Sequence, residues 1–276
     1  MKRVIFWQDK FLSSLDAPVL SPESGLLRGV GLFETMRAYR GNIIYFKQHI
    51  ARIKNSCKAL GLRFPYDTAK MRKIILGLLK ANALSDARVR LTVWGENGKS
   101  QVLVVAVKYN PPSPAKYKKG FSVSVGGLRQ DEGSLLAQHK TTSRLIYEVN
   151  FSKAQQNGFD DAIMLNQRGY ITEATRSNIF FEKNNALFTP ALECGCLNGI
   201  TRKAVFSLAH ACAIKIYEGK FTLEDLRAAD AVFLTNSLMG LMPVSRVGKY
   251  FIKSSASKIT RLLIRKYRIR SLRRKR

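Results

Sequence analysis

The chain has 276 residues and carries 47 Lys and Arg against 19 Asp and Glu, a formal net charge of +28. Its 46% hydrophobic and 10% aromatic residues suffice for a buried core in one large or two small domains, which excludes a disordered chain. No apolar run approaches the roughly 20 residues that span a bilayer, and the stretch after Met1-Lys2-Arg3 is shorter than the roughly 7–15 apolar residues of a secretory leader, so a cytoplasmic protein is expected.

Taken in order, Val4–Phe6 reads as a first strand and Ser21-Pro22-Glu23-Ser24-Gly25 as a turn-rich loop. Phe33–Tyr39 reads as a strand, closed by a hairpin-like turn at Gly41-Asn42. Phe46, Ile50, Ile53, Cys57 and Leu60 recur at helical spacing up to Gly61, with Arg52 pointing off that stripe. Asp67–Asn82 repeats the pattern through Met71, Ile74, Ile75, Leu78 and Leu79. Val89–Trp94 and Val102–Val107 are strands joined through Gly95-Glu96-Asn97-Gly98. The prolines of Asn110-Pro111-Pro112-Ser113-Pro114 preclude regular structure and mark a domain boundary, giving residues 1–112 and 113–276.

Beyond it, Phe121–Val125 is a strand and Ser143–Asn157 a helix. Ala162–Leu165, Tyr170–Thr172, Asn178–Phe181 and Ala186–Phe188 form a meander. Thr201–Ala213 is a helix, Lys215–Tyr217 and Ala231–Thr235 are strands, and a closing helix starts near Ser254. Strands and helices mix without a strict βαβ rhythm, so two α+β domains are expected. Cys57, Cys194, Cys196 and Cys212 contain no C-x-x-C pair and the three histidines are scattered; reduced thiols and no metal are expected.

The chemistry concentrates between His139 and Arg202. That stretch holds Gln138-His139-Lys140-Thr141-Thr142-Ser143-Arg144-Leu145, Gly169-Tyr170-Ile171-Thr172-Glu173-Ala174-Thr175-Arg176-Ser177-Asn178 and Leu197-Asn198-Gly199-Ile200-Thr201-Arg202. Upstream stands Gly29-Val30-Gly31-Leu32-Phe33-Glu34-Thr35, and downstream Thr235-Asn236-Ser237-Leu238. In order and spacing these motifs resemble the class IV, or fold type IV, pyridoxal-phosphate enzymes. That family includes branched-chain and D-amino-acid aminotransferases and aminodeoxychorismate lyase.

The resemblance implies a two-domain fold like that of D-amino-acid aminotransferase, a homodimer, and pyridoxal 5′-phosphate in the cleft between the domains. Lys140 would hold the cofactor and move the substrate proton, since a lysine taken out of water is driven towards its nucleophilic amine. Glu173 would keep the cofactor ring nitrogen protonated. Ile200 and Thr201 would seat the phosphate at a helix start, where free N–H groups and the positive helix end favour an anion. Ser237 would add a further phosphate ligand. Arg52, in His49-Ile50-Ala51-Arg52-Ile53, would reach the same phosphate with its planar fork of donors.

Phe33, Glu34, Thr35, Arg37 and Arg90 fall where the family lines its substrate pocket, the arginines being candidates for a substrate carboxylate. Arg144-Leu145 and Asn236-Ser237-Leu238 depart from the tyrosine and the Gly-Thr-Ala common in branched-chain aminotransferases. In this they are similar to aminodeoxychorismate lyase, which forms 4-aminobenzoate and pyruvate for folate synthesis. An aminotransferase is the alternative. Lys258–Arg276 carries ten basic residues and no acid, so non-specific nucleic-acid contact by this tail is expected, and a non-enzymatic basic nucleic-acid-binding protein is the outside reading.

Overall fold

The computed structural model describes residues 3–16, 24–252 and 254–272. Ser21–Glu23 of the turn-rich loop and residues 273–276 of the basic tail lie outside the described residues. The chain divides into two compact units: one runs to Asn110 and takes in His139–Arg144, the other takes Pro111–Gln138 and Leu145 onward.

The first unit contains β1 (Val4–Trp7), β2 (Lys10–Ser13), β3 (Gly31–Tyr39), β4 (Asn42–Ile43), α1 (Phe46–Ala59), α2 (Thr68–Ala81), β5 (Ala87–Glu96) and β6 (Lys99–Lys108). Its strands form one antiparallel sheet in the order β2-β1-β6-β5-β3-β4. The period-2 alternation of a strand puts Leu32, Met36 and Ala38 of β3 on one face. There they share a core with Phe46, Ile50 and Ile53 of α1 and Met71, Ile75 and Leu78 of α2. Phe33, Thr35 and Arg37 fall on the other face. β2 was not expected; Gln8 and Asp9 both take positive φ, 42° and 62°, forming a two-residue hairpin without the usual Asn-Gly signal.

The second unit contains α3 (Pro114–Lys119), β7 (Phe121–Val125), α4 (Leu145–Gln156), β8 (Asp161–Leu165), β9 (Ile171–Ala174), β10 (Asn178–Lys183) and β11 (Ala186–Pro190). It continues with α5 (Ile200–Ala211), β12 (Ile216–Gly219), α6 (Leu223–Arg227), β13 (Ala231–Asn236), β14 (Gly240–Val247), β15 (Tyr250–Phe251) and α7 (Lys258–Leu272). The sheet runs β12-β11-β10-β13-β14-β7-β8-β9, with β15 on β14. The Ala174 N–H donates to the Ser177 carbonyl at 2.7 Å, so the β9 end of the sheet curls back to the start of β10.

One expectation needs correction here. The proline-rich linker does not break all regular structure: Pro114 opens α3, and Ser113 Oγ caps it by accepting from Lys116 N at 3.2 Å. A proline costs nothing at the first helical position, where its missing N–H would be unpaired anyway. β14, like β2, was not expected; it carries Pro243, a residue disfavoured inside a sheet. In the fold Pro243 pairs with Phe233 on β13, while the ladder to β7 starts only at Val244. Among the described residues no helix is long and apolar enough to cross a membrane.

Candidate active site

In the first unit the segment carrying Lys140 is mounted on the entry to β3. The Phe33 N–H donates to the Lys140 carbonyl at 2.8 Å, and the Thr142 N–H to the Gly31 carbonyl at 2.8 Å. Thr142 Oγ1 donates to the Gly29 carbonyl at 2.8 Å, and His139 Nδ1 lies 2.9 Å from Ser56 Oγ on α1. Backbone bonds thus fix where Lys140 sits, independently of its long side chain.

Its ammonium nitrogen lies 4.6 Å from the centre of the Phe33 ring. The guanidinium carbons of Arg90 and Arg144 lie 3.9 and 5.9 Å from the same centre. Thr35 is directly opposite Arg90 in the β3–β5 ladder. Phe33, Thr35, Arg90 and Lys140 therefore come together on one sheet face, with Arg144 beside them. Two guanidinium groups beside the Lys140 nitrogen concentrate positive potential around one ring. Arg37 stands further along, its guanidinium carbon 5.3 Å from the Tyr109 ring centre.

Glu34 points the other way, into the helix side of the sheet. Its buried carboxylate accepts from Arg52 Nε at 2.6 Å and Arg52 Nη2 at 2.7 Å, while His49 Nδ1 lies 2.6 Å away. Burial alone would raise the Glu34 pKa, but Arg52 and His49 outweigh it and hold the carboxyl at about 2. Burial pulls His49 below its ordinary range, and its Nδ1 faces a carboxylate that can only accept. Glu34 thus orients Arg52 and does not line the Phe33 face. His49 and Arg52 stand three apart on α1, the spacing that puts two helix side chains side by side; that spacing was the readable signal for this cluster.

In the second unit Glu173 lies buried on β9. Oε1 accepts from the Tyr147 hydroxyl at 3.2 Å; Oε2 accepts from Leu197 N–H at 3.3 Å and Asn178 Nδ2 at 3.4 Å. Behind Tyr147, Gln130 Nε2 donates to its hydroxyl, and Thr172 Oγ1 donates to Gln130 Oε1. Tyr147 and Gln130 carry no motif in the sequence, because their role depends on α4 lying against β8.

Asn178 Nδ2 also donates to the Leu197 carbonyl at 2.7 Å. A Cβ on Gly199 would fall 2.0 Å from Asn178 Oδ1, so only glycine lets the chain pass here into α5. Gly199 starts that helix without a side-chain cap, leaving N–H groups of the first turn uncapped. The Thr201 hydroxyl is buried there with no hydrogen-bond partner. Arg202, by contrast, is committed to the Pro190 carbonyl at 3.0 Å and to Glu218.

Ser237 sits in the β13–β14 turn, which Asn236 shapes: its Oδ1 accepts from the N–H groups of Leu238 and Met239 at 3.0 and 2.9 Å. Asn236 Nδ2 donates to Ser177 Oγ at 3.1 Å, tying this turn to the one that follows Glu173.

The Glu34 cluster yields a pH prediction. A carboxyl held below its free value of 4.5 stabilises the fold above that pH and loses the contribution as pH falls from 4.5 towards 2. Near neutral pH, Glu34→Gln should cost about 3–5 kcal/mol, since it removes one member of a buried pair. Urea unfolding of both proteins across acid pH should show that gap narrowing through the window; a gap independent of pH would contradict the assignment.

The family model described as amino-transferase class IV matches residues 31–247. A Methanocaldococcus jannaschii protein carrying a provisional branched-chain-amino-acid aminotransferase name is 32% identical over 275 residues, covering 96% of this chain and 95% of that protein. The aminodeoxychorismate lyase of Bacillus subtilis is 28% identical over 273 residues, covering 94% and 92%. The crystal structure of a branched-chain aminotransferase from Thermoproteus uzoniensis with norvaline superposes with a TM-score of 0.90 at 26% identity, covering 99% of this chain and 95% of that one. With most of the chain matched, this α+β protein belongs to the fold type IV, class IV aminotransferase family, whose members are enzymes that use pyridoxal 5′-phosphate.

Proposed function

We propose that the chain is a 4-amino-4-deoxychorismate lyase, releasing pyruvate and forming 4-aminobenzoate. The observation that carries this reading is the cationic cluster on Phe33. An aliphatic amino-acid side chain calls for an apolar wall, whereas Arg90 and Arg144 beside Lys140 suit a substrate with two carboxylates. Asn236, which shapes its own turn, is consistent with the same reading. The M. jannaschii relative favours a second reading, a branched-chain aminotransferase.

The residues present fit the cofactor. The uncapped start of α5 and the unpartnered Thr201 hydroxyl are the donors that a phosphate dianion would satisfy. Ile200 and Thr201 are therefore assigned to the phosphate, with Ser237 and Arg52 as further ligands. Glu173 is assigned to the ring nitrogen, its two oxygens aimed by Tyr147, Asn178 and Leu197 N–H. When bound, pyridoxal phosphate supplies an electron-accepting ring that stabilises negative charge on the carbon bearing the substrate amine.

Lys140 is the residue that would hold the cofactor, and its amine would take the proton from the carbon bearing the substrate amine. Arg90 and Arg144 bind and orient the carboxylates so that this carbon faces the lysine. In the lyase reaction loss of that proton would let the enolpyruvyl group leave as enolpyruvate, which takes up a proton to become pyruvate, and aromatisation of the ring drives the step. No second substrate is needed to restore the enzyme.

The test is to supply aminodeoxychorismate without any keto acid. Repeated release of 4-aminobenzoate and pyruvate is expected, abolished in Lys140→Ala. Steady glutamate formation from leucine and 2-oxoglutarate, with no 4-aminobenzoate, would establish the aminotransferase instead.

Arg144 offers a finer check. A charge-assisted hydrogen bond contributes about 1.5–3 kcal/mol, so Arg144→Leu should raise KM for aminodeoxychorismate at least tenfold. An unchanged KM would remove Arg144 from the substrate site.

A further inference from the structure

The closing helix α7 carries six basic residues and no acid. Its inward line is Thr260, Leu263 and Tyr267, which are 0%, 0% and 5% exposed. Lys258, Arg261, Arg265 and Arg268 recur at i, i+3 and i+4 on the opposite side, all exposed, with Lys266 beside them. The guanidinium of Arg268 lies 4.6 Å from the centre of the Tyr117 ring on α3. That contact joins α7 to a second acid-free element, whose Lys118 and Lys119 are exposed. Carboxylates that bond to residues bordering this face are engaged: Asp160 pairs with Lys116 at 2.6 Å, and Glu182 accepts from Ser257. Among the described residues, none of the six α7 cations forms an ion pair.

We propose that the joined α7–α3 face binds the phosphodiester backbone of nucleic acid without sequence preference. The stripe from Lys258 to Arg268 is about 15 Å long, a length over which a duplex carries roughly nine negative charges. Charge complementarity is thus available for every exposed cation of the stripe. A membrane surface fits less well: an interfacial helix must bury a free apolar face in lipid, and the apolar line of α7 is already used inside the protein. Phosphate contact of this kind positions a protein on a strand and reads no sequence. The proposal rests on none of the cofactor or substrate assignments.

The test compares two charge-matched variants of the full-length enzyme. One is Arg261→Gln/Arg265→Gln/Lys266→Gln; the other is Lys10→Gln/Lys47→Gln/Lys73→Gln, three exposed lysines of the first unit. Binding to a mixed-sequence single-stranded RNA and a mixed-sequence duplex is followed by fluorescence anisotropy between about 50 and 200 mM salt. The α7 variant should lose roughly two to three units of salt slope and at least tenfold in affinity. The matched variant should change far less, and turnover and melting temperature should hold in both. Equal losses in the two variants would mean that net charge alone, and not this face, governs binding. Absence of salt-dependent binding would also overturn the proposal. So would tighter binding to anionic vesicles than to either nucleic acid, lost in the same α7 variant, which would make the occupant a lipid surface.

Discussion

The second unit depends on one buried carboxylate. Glu173 has donors on both oxygens, and each comes from a different part of the chain: Tyr147 from α4, Leu197 from the loop before α5, Asn178 from β10. A buried charge without such donors would cost several kcal/mol, so these three elements are held in register by the need to satisfy it. Asn178 extends the constraint. The same amide nitrogen bonds the Leu197 carbonyl, and its oxygen lies where any side chain on Gly199 would have to go. The position of the carboxylate and the start of α5, with its uncapped turn and unpartnered Thr201, are thereby set together.

The first unit follows the same logic with the opposite charge. Lys140 is placed by backbone bonds to β3, and Arg52 by the ionised Glu34 behind the sheet. Neither cation relies on its own flexible stem for its position. Strand alternation sends Glu34 to the helices, while Phe33 on the opposite face receives Lys140, Arg90 and Arg144.

Local pattern made much of this legible. The helices carried by Ile50, Ile53 and Cys57 and by Met71, Ile75 and Leu78 stand where their apolar spacing placed them, and the motifs around Lys140, Glu173 and Gly199 pointed to the family. What was not legible depends on tertiary pairing. β14 was not expected and carries Pro243, which the sheet accommodates only because the ladder to β7 begins one residue later. Tyr147 and Gln130 have no local signature, since their value lies in a hydrogen-bond chain that reaches from Thr172 to Glu173. Glu34 reads as one more pocket residue in sequence, and its strand parity turns it instead towards His49 and Arg52 on α1.

The most direct measurement of the account takes Asn178→Ala, the change that removes the amide bridging Glu173 and the Leu197 carbonyl while leaving both in the chain. Apoenzyme would be titrated with pyridoxal 5′-phosphate by fluorescence, turnover measured at saturating cofactor, and the fold checked by circular dichroism. Leaving the Leu197 carbonyl unpaired costs about 1–3 kcal/mol. Cofactor affinity should therefore fall by tenfold or more and turnover should fall with it, in a folded protein. Parental affinity and parental turnover in that variant would contradict the claim that this amide sets Glu173 and the start of α5, the two groups proposed to hold the cofactor, together.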